Sequence, residues 1–274
     1  MNKKTKIITA GISSIIITSA AVWMYVSQRT SVNNHPLQTT PSSDSTLTIA
    51  NWNLQVFGMA KARDESLVER VVDIINDYDI VFVQEIRDAS GNAVSSLAEK
   101  MTNYQYRVSS RAGRTSSKEQ YCVFYRNGIT LNGFRDFNPD AEDRWERPPI
   151  ESDFSFNNYT FKVYNLHAKP SDVTRELKAL ENLVKTNGNV MIIGDLNADG
   201  AYYNNSKNTE FDSWNWLIKD EEDTTTKSTS YAYDRIIVNL DLSRECITNS
   251  IDRRITPDLS DHYLIWVRIF PNEH

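Results

Sequence analysis

Residues 190–199 combine an apolar run with polar residues that could do chemistry. Residues 190–193 read as a buried strand, and Gly194 lets the backbone turn where that strand ends. Asp195 then supplies a fixed negative charge, and Asn197 supplies an amide that both donates and accepts hydrogen bonds. Open α/β sheets carry their sites at such carboxyl ends of strands. The two side chains suit a phosphate held beside a divalent metal, although an Asp/Asn-rich turn after a core strand is the plainer interpretation of this stretch alone.

Other predicted strands also carry a polar residue at one end or inside. They are residues 47–54 with Asn53, 80–85 with Glu85, 160–166 with His167, 231–238 with Asp234, and 263–270 after Asp261 and His262. Further strands are predicted over residues 104–109, 120–125 and 153–156. If these strands share sheets, their polar ends converge.

Two segments show a clear helical period. Residues 64–76 place their apolar side chains in one stripe behind Asp64, a candidate N-cap, and residues 173–185 are amphipathic in the same way. Shorter helices are predicted over residues 93–101 and 211–218. The pattern favours an α/β (α+β) fold in which two sheets pack face to face with helices outside, so that the strand ends meet on one rim.

The start of the chain has the features of an export segment. Positions 7–26 are uncharged and follow three lysines. This run approaches the length that spans a bilayer and exceeds the core of about 7–15 residues in a usual signal peptide. Small residues at 19–21 would suit a signal peptidase, whereas Trp23 and Tyr25 resemble interfacial anchors.

These features divide the chain into three parts. Residues 1–27 are predicted to be a signal peptide or an N-terminal membrane anchor, residues 28–45 a polar linker, and residues 46–272 one folded domain. Because the lysines hold the start on the cytoplasmic side, both interpretations of residues 1–27 place the domain outside the cytoplasm, either anchored or secreted.

Composition argues against broad electrostatic binding of nucleic acid. Residues 1–45 hold four of the 30 Lys+Arg and one of the 36 Asp+Glu, which leaves 26 basic against 35 acidic residues, a net charge of −9, in the rest. A polyanionic substrate must then be managed by local arginines and a metal. Cys122 and Cys246 lie in separate strand-like runs, so neither a disulfide-rich scaffold nor a structural zinc site is predicted.

Taken in order, the polar residues form a set that resembles a known family. The set comprises Asn53, Gln84-Glu85-Ile86-Arg87-Asp88, Glu119, Arg147, His167, Gly194-Asp195-Leu196-Asn197, Tyr233-Asp234-Arg235 and Ser260-Asp261-His262. It is similar to the set of the endonuclease/exonuclease/phosphatase superfamily, most closely its deoxyribonuclease I branch, over essentially residues 46–270. The resemblance implies a four-layer sandwich of two central, mostly antiparallel β-sheets flanked by helices. It also implies magnesium-dependent hydrolysis of a phosphodiester bond.

The resemblance implies a metal cradle of Asn53 and Glu85, to which Asp261 adds a carboxylate. Mg²⁺ is the expected ion, since a hard cation prefers oxygen ligands and keeps several waters, and Mn²⁺ could substitute for it. Asp199 is a candidate ligand for a structural Ca²⁺. A solvated carboxylate at a strand end is the alternative interpretation of Glu85.

By the same resemblance, His262 is the general base and Asp234 is the carboxylate that orients it. An Asp that accepts the imidazole N–H fixes the tautomer and stabilises the imidazolium. His167, paired with Glu119, would contact the scissile phosphate or protonate the leaving group. The chain has only two other histidines, at positions 35 and 274, and each histidine taken singly is more often structural.

Four further residues match family positions that contact the substrate. Asp195 and Asn197 would position the water and the phosphate. Arg87 and Arg147 would contact the phosphate backbone of DNA, since an arginine can bind a phosphate with two hydrogen bonds without reading sequence. Ordinary surface ion pairs are the alternative interpretation of both arginines.

The sequence departs from the family pattern at two places. Ser117 stands where the family has a tyrosine that stacks in the minor groove of DNA, which affects the expected preference for duplex. The two positions of a family disulfide hold Gly200 and Tyr231.

The leading hypothesis is an exported, metal-dependent endonuclease that cuts DNA with little sequence preference, acting as a monomer. A phosphatase, or a phospholipase C-type phosphodiesterase acting on sphingomyelin or a phosphoinositide, is the alternative within the family. Against it, the sequence offers no aromatic-apolar hairpin that would insert into lipid. A non-catalytic binding module on the same fold predicts lost ligands, yet every matched position is filled.

Overall fold

The computed structural model describes residues 46–271. The predicted leader or anchor (residues 1–27) and the predicted linker (residues 28–45) therefore lie outside the described residues, as does His274. Among the residues that are described, no helix is long and apolar enough to cross a membrane.

Two six-stranded sheets form the centre of the described domain. The strands are β1 Leu47–Phe57, β2 Ile80–Ile86, β3 Tyr104–Val108, β4 Gln120–Arg126, β5 Thr130–Asp136, β6 Ile150–Phe156, β7 Tyr159–Asn165, β8 Asn189–Asp195, β9 Asn215–Trp216, β10 Asp234–Val238, β11 Cys246–Asp252 and β12 Leu264–Ile269. The first sheet has the order β11-β12-β1-β2-β4-β3 and the second has the order β5-β6-β7-β8-β10-β9. One pair in each sheet is parallel, β1 with β2 and β7 with β8. The predicted mostly antiparallel arrangement is confirmed.

The helices of the described domain are α1 Met59–Ala62, α2 Glu65–Ile75, α3 Asn92–Lys100, α4 Val173–Leu183 and α5 Leu240–Ser243. The longer helices α2, α3 and α4 cover the outer faces of the sheets, whereas Leu242 of α5 belongs to the cluster between them. Apolar side chains of α2 and α3 pack on one face of the first sheet, and those of α4 pack on one face of the second. A third cluster contains strand residues of both sheets and fills the space between them. The layers are helix, sheet, sheet and helix, as the sequence predicted.

The helices form for local reasons that the sequence shows. Asp64 precedes α2, and its side chain accepts a hydrogen bond from the backbone N–H of Leu67, which confirms the predicted cap. The predicted helix over residues 211–218 is wrong. Phe211 and Trp214 instead form a turn and contact each other edge to face, ahead of the short strand β9. An apolar spacing of three residues fits such a turn as well as a helix.

Gly194 is required by a close approach between the ends of β7 and β8. A Cβ atom at this position would lie 2.0 Å from the carbonyl oxygen of Leu166, the residue after β7. Gln84, near the end of β2, donates to the same carbonyl at 2.8 Å and accepts from the backbone N–H of Asp195 at 2.9 Å. This buried amide joins the two sheets at the rim where the polar strand ends meet.

Candidate active site

Asp195 lies at the end of β8, buried between the two histidines. Its Oδ2 atom is 3.3 Å from His167 Nε2 and 3.6 Å from His262 Nε2. The same oxygen accepts a hydrogen bond from Asn53 Nδ2 at 3.0 Å. Burial alone would raise the pKa of Asp195, but the two imidazoles and Asn53 outweigh it and lower that pKa. Both histidines thus present Nε2 to one carboxylate oxygen.

His262 is held in place from several sides. Its Nδ1 atom is 2.7 Å from Asp234 Oδ2, at the start of β10. Its backbone N–H donates to the Ser260 hydroxyl at 3.0 Å, and its carbonyl accepts from Trp52 Nε1 at 3.0 Å. The Ser260 hydroxyl donates in turn to the backbone carbonyl of Asn53 at 2.6 Å. These bonds fix the ring orientation, as a general base requires.

Carboxylates decide the protonation of His262. Burial lowers the pKa of this imidazole, but Asp234, then Asp195 and finally Asp261 outweigh burial and raise it to about 10. Because carboxylates cause the rise, a divalent cation that shared their charge would lower the pKa of His262 toward the range that a general base needs.

His167 forms a second histidine–carboxylate pair. Its Nδ1 atom is 2.5 Å from Glu119 Oε1, and Glu119 is buried. Arg147 Nε lies 3.4 Å from the same carboxylate, and Arg87 Nη2 lies 3.5 Å from it. Burial would raise the pKa of Glu119, but His167, Arg147 and Arg87 together lower it to about 2. Glu119 is therefore ionised throughout the range in which the protein would work.

A backbone bulge positions Asn53 and Glu85 beside these pairs. Asn53 pairs with Gln84 and Phe57 pairs with Ile86, so the three residues of β1 between Asn53 and Phe57 bulge out of the regular pairing with β2. Within the bulge, the backbone N–H of Val56 donates to Glu85 Oε2 at 2.8 Å, and Asn53 Nδ2 donates to Glu85 Oε1 at 3.2 Å. Glu85 itself has a positive φ of 61°, a conformation that is retained where the surroundings enforce it.

The donor atoms at this rim fit a hard divalent cation. Glu85, Glu119 and His167 each offer a ligand atom within 4.8 Å of the others, and so do Asp195, Asp234 and His262. The donors are chiefly carboxylate oxygens, which Mg²⁺ and Mn²⁺ prefer, and Asn53 adds an amide to them.

Asn197 and Asp261 lie at the edges of this arrangement. Asn197 has a φ of 50°, donates its backbone N–H to Asp195 Oδ1 at 3.2 Å, and donates Nδ2 to the Ala168 carbonyl at 3.0 Å. Asp261 Oδ2 is 2.7 Å from Lys227 Nζ, and its Oδ1 is 3.8 Å from His262 Nε2. The structure thus places Asp261 on the His262 side of the site, outside the group formed by Glu85, Glu119 and His167.

The two predicted DNA-contacting arginines differ in what they contact. Arg87 Nη2 lies 3.0 Å from Glu85 Oε2 and bridges that carboxylate to Glu119. Arg147 donates from Nε to the His167 carbonyl at 3.0 Å and from Nη2 to the Ala168 carbonyl at 3.2 Å. The side chain of Arg87 is 27% exposed and that of Arg147 is 14% exposed. Arg147 supports the backbone that carries His167.

Sequence reasoning missed three residues that position the site. Gln84 joins Asp195 to the end of β7, while Ser260 and Trp52 hold the backbone of His262. Gln84 and Ser260 occur in the family-like motifs, and a buried amide or hydroxyl beside a strand end was the available signal. Trp52 carried no signal of its own, since a tryptophan in a strand is ordinary core.

The two positions of the absent disulfide are joined without a covalent bond. A Cβ atom at Gly200 would lie 2.6 Å from the Tyr231 ring, so the ring lies directly on the glycine. Asp199 accepts from the backbone N–H of Gly200 and from that of Ala232, both at 2.7 Å. These contacts hold residues 199–200 against residues 231–232.

Comparison with known proteins agrees with this geometry. Residues 50–262 match the sequence profile described as the endonuclease/exonuclease/phosphatase family. Deoxyribonuclease-1 of Bos taurus is 34% identical over 216 residues, which cover 70% of this chain and 77% of the bovine protein. Deoxyribonuclease-1 of Homo sapiens is 32% identical over 260 residues, covering 81% of this chain and 92% of the human protein.

Solved structures share the same fold. An endonuclease/exonuclease/phosphatase from Bacteroides vulgatus superimposes with a TM-score of 0.62 at 15% identity, over 83% of this chain and 99% of the other. The profile match and the identity to the two deoxyribonucleases show that the chain belongs to the endonuclease/exonuclease/phosphatase family.

Proposed function

We propose that this chain is an exported, metal-dependent endonuclease that hydrolyses phosphodiester bonds of DNA with little sequence specificity. The observation that supports this most strongly is the pair of imidazole Nε2 atoms facing Asp195 Oδ2, at 3.3 and 3.6 Å. Each imidazole is held on its Nδ1 side by its own carboxylate. Two imidazoles held on either side of a bound phosphate can transfer the two protons that hydrolysis requires, one from the attacking water and one to the leaving oxygen.

The proposed chemistry follows from that arrangement. His262, oriented by Asp234, takes a proton from the attacking water as the water oxygen bonds to phosphorus. His167, oriented by Glu119, gives a proton to the leaving oxygen as the phosphorus–oxygen bond breaks. Asp195 positions the water and the phosphate between the rings, together with Asn197.

Asn53 and Glu85, with Asp261 near His262, are the residues proposed to hold Mg²⁺, which Mn²⁺ could replace. The ion supplies neutralisation of phosphate charge when bound. Arg87 and Arg147 are proposed to contact the DNA backbone. Such contacts carry no sequence information, which accounts for the low specificity. Export is supported by the sequence of residues 1–45 alone.

The direct test is nicking of supercoiled plasmid by the full chain with Mg²⁺ or with EDTA. We expect nicking with Mg²⁺ only, and a loss of about 10²–10⁴-fold in His262→Ala and in His167→Ala, the usual contribution of a general acid or base. His274→Ala is the matched control, since it removes a histidine that matches no family motif.

Nicking that persists in His262→Ala or His167→Ala would disprove the assigned roles. No nicking by a folded wild-type chain would disprove the endonuclease itself. Release of phosphorylcholine from sphingomyelin liposomes would then favour the phospholipase C-type alternative.

A further inference from the structure

The bulge in β1 is a strained segment that carries active-site groups. Gln55 and Val56 have φ angles of 46° and 55°, in the left-handed region that non-glycine residues seldom adopt. Such a conformation is strained and persists only where the surrounding structure enforces it. The bulge delivers the Val56 N–H to Glu85 and the Gln55 N–H to Asn53 Oδ1. Whatever stabilises this bulge therefore positions Asn53 and Glu85.

Lys61 provides that stabilisation from the neighbouring helix α1. Its Nζ atom donates to the carbonyl oxygen of Leu54, inside the bulge, at 2.8 Å. The same Nζ donates to the carbonyl oxygen of Leu259 at 2.7 Å. Leu259 is buried and directly precedes the Ser260-Asp261-His262 segment. One ammonium group thus joins the end of β1 to the segment that carries His262.

The charge around Lys61 suits this role. Burial lowers the pKa of Lys61, and the carboxylates of Asp261, Glu85 and Asp258 oppose that effect. The ammonium group therefore lies within electrostatic range of two of the carboxylates proposed to hold the metal ion. It uses its donors on backbone carbonyls, which leaves those carboxylates available for other ligands.

We propose that Lys61 is a positioning residue that sets the distance between the two halves of the active site. One half is Asn53 with Glu85, and the other is the segment ending in His262. The proposal rests on the proposed function for its effect on rate, but not for its effect on geometry. Lysine suits this position because its long stem carries a compact ammonium group with three donors, which can reach both carbonyls.

Lys61→Met tests this, because methionine keeps the stem and removes the donors. We expect kcat for plasmid nicking to fall about ten- to hundredfold with KM nearly unchanged, the usual result of misplacing a catalytic group by about 1 Å. Lys61→Arg keeps donors and should recover part of the loss. Lys100→Met is the matched control, since it breaks a surface ion pair between α3 and Glu65.

A second measurement does not depend on activity. The chain has four histidines, so selective ¹⁵N-histidine labelling gives few ring signals, and His262→Ala assigns one of them. We expect Lys61→Met to shift the His262 ring signals, and Lys100→Met to leave them in place.

Several results would overturn the proposal. One is an unchanged kcat in Lys61→Met. Another is a loss of kcat that disappears when the assay temperature is lowered, because such a loss reflects unfolding. A third is a Lys61→Met variant whose His262 ring signals do not shift. If the wild type cuts no DNA, the proposed function fails, but the histidine signals still decide whether Lys61 positions the segment.

Discussion

The two histidine–carboxylate pairs of the site have the same geometry in different surroundings. His262 with Asp234 and His167 with Glu119 both join Nδ1 to a buried carboxylate, at 2.7 and 2.5 Å. Both direct Nε2 at Asp195. The first pair is built between the starts of β10 and β12, whereas the second joins the residue before β4 to a residue just after β7.

The difference lies in the positive charges near each carboxylate. Among the ion pairs of the described residues, Asp234 contacts His262 alone, whereas Glu119 contacts Arg147 and Arg87 as well as its histidine. Glu119 therefore has two tasks, orienting His167 and neutralising two partly buried arginines. The geometry of each pair predicts its role in the reaction. The charges around the pair predict how much stability is lost when its carboxylate is removed.

Asp234→Asn should give the largest effect, and the effect should fall on activity. The amide cannot stabilise the imidazolium and favours the wrong tautomer, so we expect nicking to fall about 10²–10⁴-fold. The midpoint of urea unfolding should fall less than in Glu119→Gln, since only the His262 imidazole loses its carboxylate partner. Asp258→Asn, which removes an exposed partner of Arg70, is the control. A loss of less than tenfold would show that Asp234 does not orient the base.

Glu119→Gln should lower stability as well as activity. Removing this charge takes from Arg147 its buried carboxylate partner, whereas Arg87 keeps Glu85 at 3.0 Å. Breaking one such buried pair costs about 3 kcal/mol in the free energy of unfolding. Urea unfolding at neutral pH measures this value. A loss below about 1 kcal/mol in the free energy of unfolding would mean that Arg147 finds another partner.

The pH dependence of this difference has a definite sign. The pKa of Glu119 is about 2 in the folded protein, lowered from 4.5. A lowered folded pKa contributes stability that is fully present above pH 4.5 and is lost as the pH falls toward 2. The stability gap between the wild type and Glu119→Gln should therefore narrow across that window. If the difference in the free energy of unfolding stays constant from pH 4.5 to 2, Glu119 does not have a lowered pKa in the folded protein.

Much of the fold and the site could be predicted because the signals were local. A run such as residues 190–193 can only be buried, and a polar residue directly after it must lie at a strand end. That reasoning located Asp195, Glu85 and His167 before any contact was known, and the two sheets follow from the number of such strands. Asp64 is similar, since a cap depends on residues within one turn.

The remaining features depend on contacts between distant segments. The sequence does not show that Lys227 pairs with Asp261, or that Gln84 joins the two sheets. The prediction of a helix over residues 211–218 was wrong for the same reason. Its aromatic side chains pack in a turn, where Trp214 contacts Phe211, and Trp216 contacts the distant Tyr203. Above all, sequence reasoning assigned Arg87 and Arg147 the same role, whereas the two side chains have different surroundings in the structure.

The smallest predicted effect separates those two arginines. Arg87 is the more exposed, and its partners are side chains, so it can turn toward a phosphate. Arg147 is tied to the carbonyls of His167 and Ala168. For Arg87→Ala we expect DNA binding about threefold weaker, and a plot of log affinity against log salt whose slope falls by about one, the value for one lost phosphate contact.

Arg147→Ala should leave that slope unchanged and lower the free energy of unfolding, because it removes support from the backbone of His167. Fluorescence anisotropy of a labelled duplex across a salt series, in EDTA to prevent cleavage, measures both slopes. If the slope falls equally in both variants, Arg147 contacts phosphate directly and must leave its carbonyl partners when DNA binds. The two arginines would then bind DNA in the same way. The ion pairs that distinguish Glu119 from Asp234 would in that case exist only in the protein without bound DNA.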